Sequence, residues 1–175
     1  GHDNMDIISI VLDGALEHRD STGTHGIIKP GEIHKMSAGS GVTHSEFNAS
    51  NNDDVHFLQI WIQPDARDIE PRYEQVPIDM DAAKTGFARI GGANPSDKVV
   101  SIHQDTELFW ASPSDGDYVD YAFEEGRYGF LQVVRGQVEF KGEVLKEGDG
   151  VEFSDISDLR LNAQADSDLL LLDLG

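Results

Sequence analysis

In the hexapeptide THSEFN, residues 43–48, an imidazole and a carboxylate stand two positions apart, at His44 and Glu46. On a β-strand, where side chains alternate between faces, both point the same way and together can ligate a metal, provided other donors meet them. His2 opens a stretch in which residues 2, 4 and 6 share one parity, so Asp6 is expected on the face of His2. If the strands over 2–13 and 42–48 lie in one barrel, His2, His44 and Glu46 converge inside it. Three N/O donors with open positions suit Fe(II), Mn(II), Ni(II), Cu(II) or Zn(II), and they leave room for water, dioxygen or a substrate oxygen. The remaining histidines, His18, His25, His34, His56 and His103, read singly as core or surface residues.

The chain contains no cysteine, so neither a disulfide framework nor a thiolate site is available, and a metal must rest on His, Asp or Glu. That suits a reducing cytoplasm. The net charge of −20, from 33 acidic against 13 basic residues, repels phosphates and anionic lipid and argues against direct nucleic-acid binding. It reads as a solvated acidic surface. With 175 residues, of which 38% are hydrophobic, the chain can build one core or two small ones. No apolar run approaches the roughly 18 residues of a membrane span, and no secretory signal pattern opens the chain, which reads as soluble and unanchored.

Short apolar runs separated by turn residues dominate, the texture of an all-β protein. DIISIVLDG, residues 6–14, is Ile- and Val-rich and ends in Asp13-Gly14, a hairpin signal that makes ALEHRD its return strand. IHKMSAGSG, VTHSEFN and VHFLQIWIQP continue the series, with tight turns at STGTHG and around Pro30-Gly31. Residues 65–97 lose this periodicity and hold three of the six prolines, as expected of a connector. MDAAKTG and PRYEQ are the candidate helices. A second β series follows from 98 to 175 and repeats the layout of the first, with FLQVVRGQVEF and KEGDGVEF echoing IISIVLDGALEH and KPGEIHKM. The echo predicts two tandem antiparallel β-barrels, over 1–64 and 98–175.

GSGVTHSEFN, with Gly41, His44 and Asn48, resembles the second motif of the cupin superfamily, with Gly39 standing where proline is usual. GHDNMDIISIVLDG, with His2, Asp6 in place of glutamate, and Gly14, is similar to the first. More narrowly, MDIISIVLDGALEHRDSTG, PGEIHKMSAGSGVTHSEFN, LQIWIQP and PRYEQ resemble the pirin family of bicupins, particularly bacterial members with quercetin 2,3-dioxygenase activity. The likeness covers the whole chain and is most specific over residues 5–75.

The resemblance implies two tandem cupin (double-stranded β-helix) barrels, with one divalent transition metal in the N-terminal one. Fe(II) is foremost, and Zn, Mn, Ni, Cu or Co can take the place. Carried over by position, the metal ligands are His2, His44 and Glu46, while Asp6 is not a ligand. The first histidine of the family's H-x-H would stand just before Gly1, and family members begin with several strands ahead of it. The N-terminal barrel is therefore expected to be incomplete in this chain, with upstream residues or a partner chain covering the open edges. The C-terminal barrel has no H-x-H and no H-x-E; no metal is expected there, and His103, which falls in that half, reads as structural.

The implied activity is cleavage of a flavonol such as quercetin by O2, with Glu46 as both ligand and proton acceptor, and with Phe47, Phe57 and Trp61 as candidate pocket walls. An alternative is a metal-binding, redox-responsive regulatory module with a protein partner and no physiological catalysis. A cupin that has lost its metal altogether is a third reading.

Overall fold

A computed structural model describes all 175 residues, Gly1–Gly175. Apart from one short helix the regular elements are strands, as the alternating texture predicts. The chain divides into two units, Gly1–Ile78 with Gly92–Gln104, and Asp79–Gly91 with Asp105–Gly175. No helix is long and apolar enough to cross a membrane.

The first unit contains β1 (Asp6–Asp13), β2 (Leu16–Asp20), β3 (His25–Ile28), β4 (Glu32–Ser37), β5 (His44–Asn48), β6 (His56–Ile62), β7 (Arg72–Pro77) and β9 (Val100–Ser101). One sheet runs β6-β1-β4-β7 and the other β3-β2-β5. The continuous apolar run of β1 explains its central place: Ile7, Ile8, Ile10 and Val11 are all buried, so the strand needs cover on both faces and a neighbour on each edge. It finds these neighbours in β4 and β6, while β2 pairs with β3 and β5. Asp13-Gly14 therefore does not close a hairpin. Gly14, at φ 72, makes a tight turn against the backbone of Asp54, where a Cβ would collide, and carries the chain from one sheet to the other.

The PRYEQ stretch, expected as a helix, forms β7. It pairs antiparallel with β4 from Arg72↔Ser37 to Glu32↔Pro77, and this pairing outweighs the local propensity. With it the connector reading of 65–97 gives way, since that stretch carries β7, the helix α1 (Met80–Thr85) and β8 (Ala88–Gly92). The boundaries also interleave: 92–104 belongs with the first unit and 79–91 with the second, so neither unit is one uninterrupted stretch. The MDAAKT helix forms where the sequence places it, with the Asp79 carboxylate accepting from the Ala82 amide at 3.2 Å as N-cap.

The second unit adds β10 (Thr106–Ala111), β11 (Tyr118–Ala122), β12 (Tyr128–Arg135), β13 (Gln137–Phe140), β14 (Glu143–Lys146), β15 (Gly150–Phe153), β16 (Asp158–Ala163) and β17 (Asp168–Leu174). One of its sheets runs β15-β12-β17-β10-β8 and the other β11-β16-β13-β14. Its core is aliphatic: Leu131, Val133, Val138, Leu159, Leu161, Leu169 and Leu171 are buried together. Each such side chain contributes about 1.5–3 kcal/mol by leaving water.

Candidate metal centre

In the first unit, strand pairing lines up Gln59, Ser9, His34 and Gln75 in one row across the larger sheet. Across the smaller sheet it lines up Gly26, His18 and Glu46, with Asp20 opposite His44. The rows face each other. Ser9 Oγ lies 3.5 Å from Glu46 Oε1, and Gln59 Nε2 donates to Glu46 Oε2 at 2.6 Å. Gly26 belongs to the same layer: a Cβ there would strike the Tyr73 hydroxyl, so its absence lets the Tyr73 ring lie 5.2 Å from His18 and 4.7 Å from His34.

His18, His44 and Glu46 each offer a ligand atom, and these three atoms lie within 4.8 Å of one another. His2, held by its bridge to Val42, packs its ring 4.9 Å from that of His44. Alternation thus predicts the His44–Glu46 pairing correctly, and His2 lies against it. His18 and His34, read singly from the sequence, join the same cluster, with His18 3.9 Å and His34 4.0 Å from Glu46 Oε1. A signal for His18 was present, since Leu16, His18 and Asp20 share the inward parity while Glu17 and Arg19 take the outward one. For His34 there was none, because β4 is buried on both faces and shows no alternation.

Asp6 does not join His2. Asn4, at φ 46, breaks the extended chain between them, and strand β1 begins only at Asp6. The Asp6 carboxylate instead accepts from Ser37 Oγ at 2.8 Å and the His103 amide at 2.9 Å, with Lys35 Nζ at 3.3 Å. His103, assigned by sequence to the C-terminal half, thereby belongs to the first unit, its Nδ1 3.0 Å from Asp6 Oδ2. Phe47 is exposed, with the Arg19 guanidinium 5.3 Å from its ring centroid, and Phe57 packs against Val11, Leu16 and Ile28, so neither walls the site. Trp61 does border it: the indole is 57% exposed and stands edge-on to His2 at 5.3 Å.

The chemistry of the cluster fits a cation. His18 Nδ1, His44 Nδ1 and both ring nitrogens of His34 are buried without a hydrogen-bond partner. Buried polar atoms are ordinarily satisfied, so three rings with such atoms beside one carboxylate mark a donor set made for another species. Asp20 Oδ2, 3.0 Å from His18 Nε2, holds the far side of that ring and leaves Nδ1 facing inward. Burial lowers His34 to about 3, with His18 adding to the effect, and burial likewise lowers His44, so both rings are neutral donors at pH 7. For His18, burial is outweighed by the Glu46 and Asp20 carboxylates, which raise it. Burial pushes Glu46 up, but His18, His34, Gln59 and His44 together bring it below the usual carboxylate value.

Comparison with known proteins agrees with this fold. Residues 1–62 match the Pirin family, and residues 90–174 match the family described as the quercetinase C-terminal cupin domain. A quercetin 2,3-dioxygenase of Escherichia coli K12 is 38% identical over 174 residues, covering 99% of this chain and 74% of that protein. The crystal structure of YhhW from Escherichia coli superposes with a TM-score of 0.92 at 35% identity, over 99% of this chain and 73% of that one. A bacterial pirin YhhW in complex with nickel(II), also from Escherichia coli, gives 0.90 at 34% identity over the same shares. Two β units in tandem, a histidine-carboxylate cluster in the first and this depth of similarity along the chain converge, and the protein belongs to the pirin family of tandem cupins.

Proposed function

We propose that the chain is a metal-dependent dioxygenase that opens a flavonol such as quercetin with O2, with the ion held by His2, His44 and Glu46 and with His18 beside them. The observation that carries this reading is the convergence of His44, Glu46 and the adjoining His18 on ligand atoms within 4.8 Å of one another, with His44 Nδ1 and His18 Nδ1 buried and unpartnered. The names of its relatives supply the substrate class. Fe(II) is the resident ion in this reading, and the nickel(II) complex of a relative supports a site open to several divalent ions.

A divalent ion bound there supplies Lewis acidity and a template for the substrate oxygens and O2. The side chains do the rest. Glu46, ionised at neutral pH, is placed to accept the proton of the flavonol 3-hydroxyl. Gln59 donates to its Oε2 at 2.6 Å and so orients Oε1 toward the imidazoles. His44 and His2 act as imidazole donors, and the exposed Trp61 face beside His2 offers a surface on which a planar aromatic can stack. The chemistry is assigned to the N-terminal unit, and the second unit has a structural role.

The test is elemental analysis of the purified protein followed by oxygen uptake with quercetin. Retained divalent metal and turnover that falls at least a hundredfold in Glu46→Ala are the expected results. Absence of retained metal, or an unchanged rate in Glu46→Ala, would refute the proposal.

A further inference from the structure

The inward imidazoles form a row. His2 packs on His44 at 4.9 Å between ring centroids, His44 on His18 at 5.4 Å, and His18 on His34 at 4.9 Å. The outer end is only partly buried and borders Trp61, whereas the inner end, His34, is fully buried with neither ring nitrogen partnered. An ion draws its donors to about 2.0–2.2 Å, so one ion near His2 and His44 leaves His34 unused. A buried imidazole with two unsatisfied nitrogens is costly, and its presence calls for a ligand of its own.

We propose that the interior of the first unit holds a second divalent cation, bound by His34, His18 and Glu46, inward of the His2–His44–Glu46 position and sharing Glu46 with it. Glu46 Oε1 is the common point, 3.9 Å from His18 Nδ1 and 4.0 Å from His34 Nδ1. Donors about 2.0–2.1 Å from one tetrahedral ion lie about 3.3–3.4 Å from each other, so the three side chains close onto an ion by moving roughly half an ångström. Ser9 Oγ, 3.5 Å from the same oxygen, is a neutral fourth donor within reach. Asp20 on the far nitrogen of His18 is the kind of outer carboxylate that orients metal-binding imidazoles. One carboxylate spanning two ions is the arrangement of two-metal sites, whose ions lie about 3.5–4 Å apart. Two imidazoles and a carboxylate select a borderline divalent ion such as Ni(II), Co(II), Mn(II) or Zn(II) over Ca(II) or Mg(II).

This position depends on Glu46 facing a cation, as does the proposed function, and counting ions separates the two. The full chain, its His34→Gln variant and its His2→Gln variant are brought to equilibrium with Ni(II) by dialysis, and bound metal is counted by elemental mass spectrometry. Two ions per chain in the unaltered protein and one in each variant are expected. One ion in the unaltered protein and one in His34→Gln overturns the inner position and leaves the proposed function standing, while no ion in any form overturns both. Mn(II) gives an independent readout. A paramagnetic resonance signal broadened by coupling in the unaltered protein should resolve into an isolated six-line spectrum in His34→Gln, and identical spectra would overturn the pairing. If His34→Gln does not fold, His34→Leu, which replaces an unsatisfied polar group by an apolar one, takes its place in both measurements.

Discussion

Gln59 Nε2 donates to Glu46 Oε2 at 2.6 Å while Gln59 Oε1 accepts from Trp61 Nε1 at 3.0 Å. An indole N–H can only donate, so Trp61 fixes which end of the amide faces the carboxylate. A rim aromatic thereby sets the orientation of a carboxylate at the centre of the cluster, through one intervening side chain.

Removing the middle of that relay should weaken metal binding without unfolding the protein. Gln59→Leu leaves Glu46 free to rotate, and loss of such an orienting partner costs about 10- to 100-fold in affinity. Trp61→Phe keeps the amide but not its orientation, so its loss should be smaller. Chelator competition measures both, and wild-type affinity in both variants would show that the relay does nothing.

The buried imidazoles also predict that metal stabilises the fold. A ligand that binds only the folded chain adds about 2.7 kcal/mol at a hundredfold excess over its Kd. Thermal unfolding with and without Ni(II) should show this as a raised midpoint; His44→Ala should reduce the increment, and Glu46→Ala, which takes a ligand from both positions, should abolish it. An increment that survives in Glu46→Ala would place the binding elsewhere.

Legibility in the sequence followed alternation. β5 exposes one face, so His44 and Glu46 could be read as a pair, and Leu16-His18-Asp20 carried the same pattern for a reader counting parity. β4 is buried throughout, and His34 and Lys35, adjacent in sequence, serve opposite faces of the sheet with nothing local to separate them. Parity does not carry from His2 to Asp6, because the left-handed backbone of Asn4 ends the extended chain between them. Asp13-Gly14 was a true turn read with the wrong consequence, since turn chemistry says that the chain reverses and not which sheet receives it. The interleaving at 79–104 stays hidden for a related reason: a loss of periodicity does not say which unit a helix or strand packs into.

Lys35 tests the other face. It is fully buried, with Nζ bonded to Ser37 Oγ and to Ser101 Oγ at 3.1 Å, and it lies 3.3 Å from the equally buried Asp6. Lys35→Met strands that carboxylate and should cost about 3–5 kcal/mol. Adding Asp6→Asn removes the stranded charge, so the double variant should recover much of the loss. Urea unfolding of the two single variants and the double measures the coupling, and strictly additive effects would mean that the two charges do not sense each other.

Asp20 gives the ion-free protein a pH signature. Burial pushes its carboxyl up, but the Thr22 hydroxyl at 2.6 Å, His18 Nε2 at 3.0 Å and the Thr24 and Thr22 amides at 3.1 and 2.9 Å outweigh burial and hold it at about 2. Because this lies below the unfolded value of about 3.9, its stabilisation is complete above that value and is lost as pH falls through about 2. His18 has the opposite sign: its pKa is raised, so its contribution is complete below about 6.5 and is lost as pH rises through the raised value. The pair is therefore worth most on a plateau between about pH 4 and 6.5, where both are charged. Asp20→Asn should cost about 1.5–3 kcal/mol on that plateau, the range for hydrogen bonds to a charged group, and progressively less on either side. Urea midpoints of the chelated wild type and variant from acid to alkaline pH measure the difference, and a difference that stays flat would mean that the His18–Asp20 contact is not an ion pair.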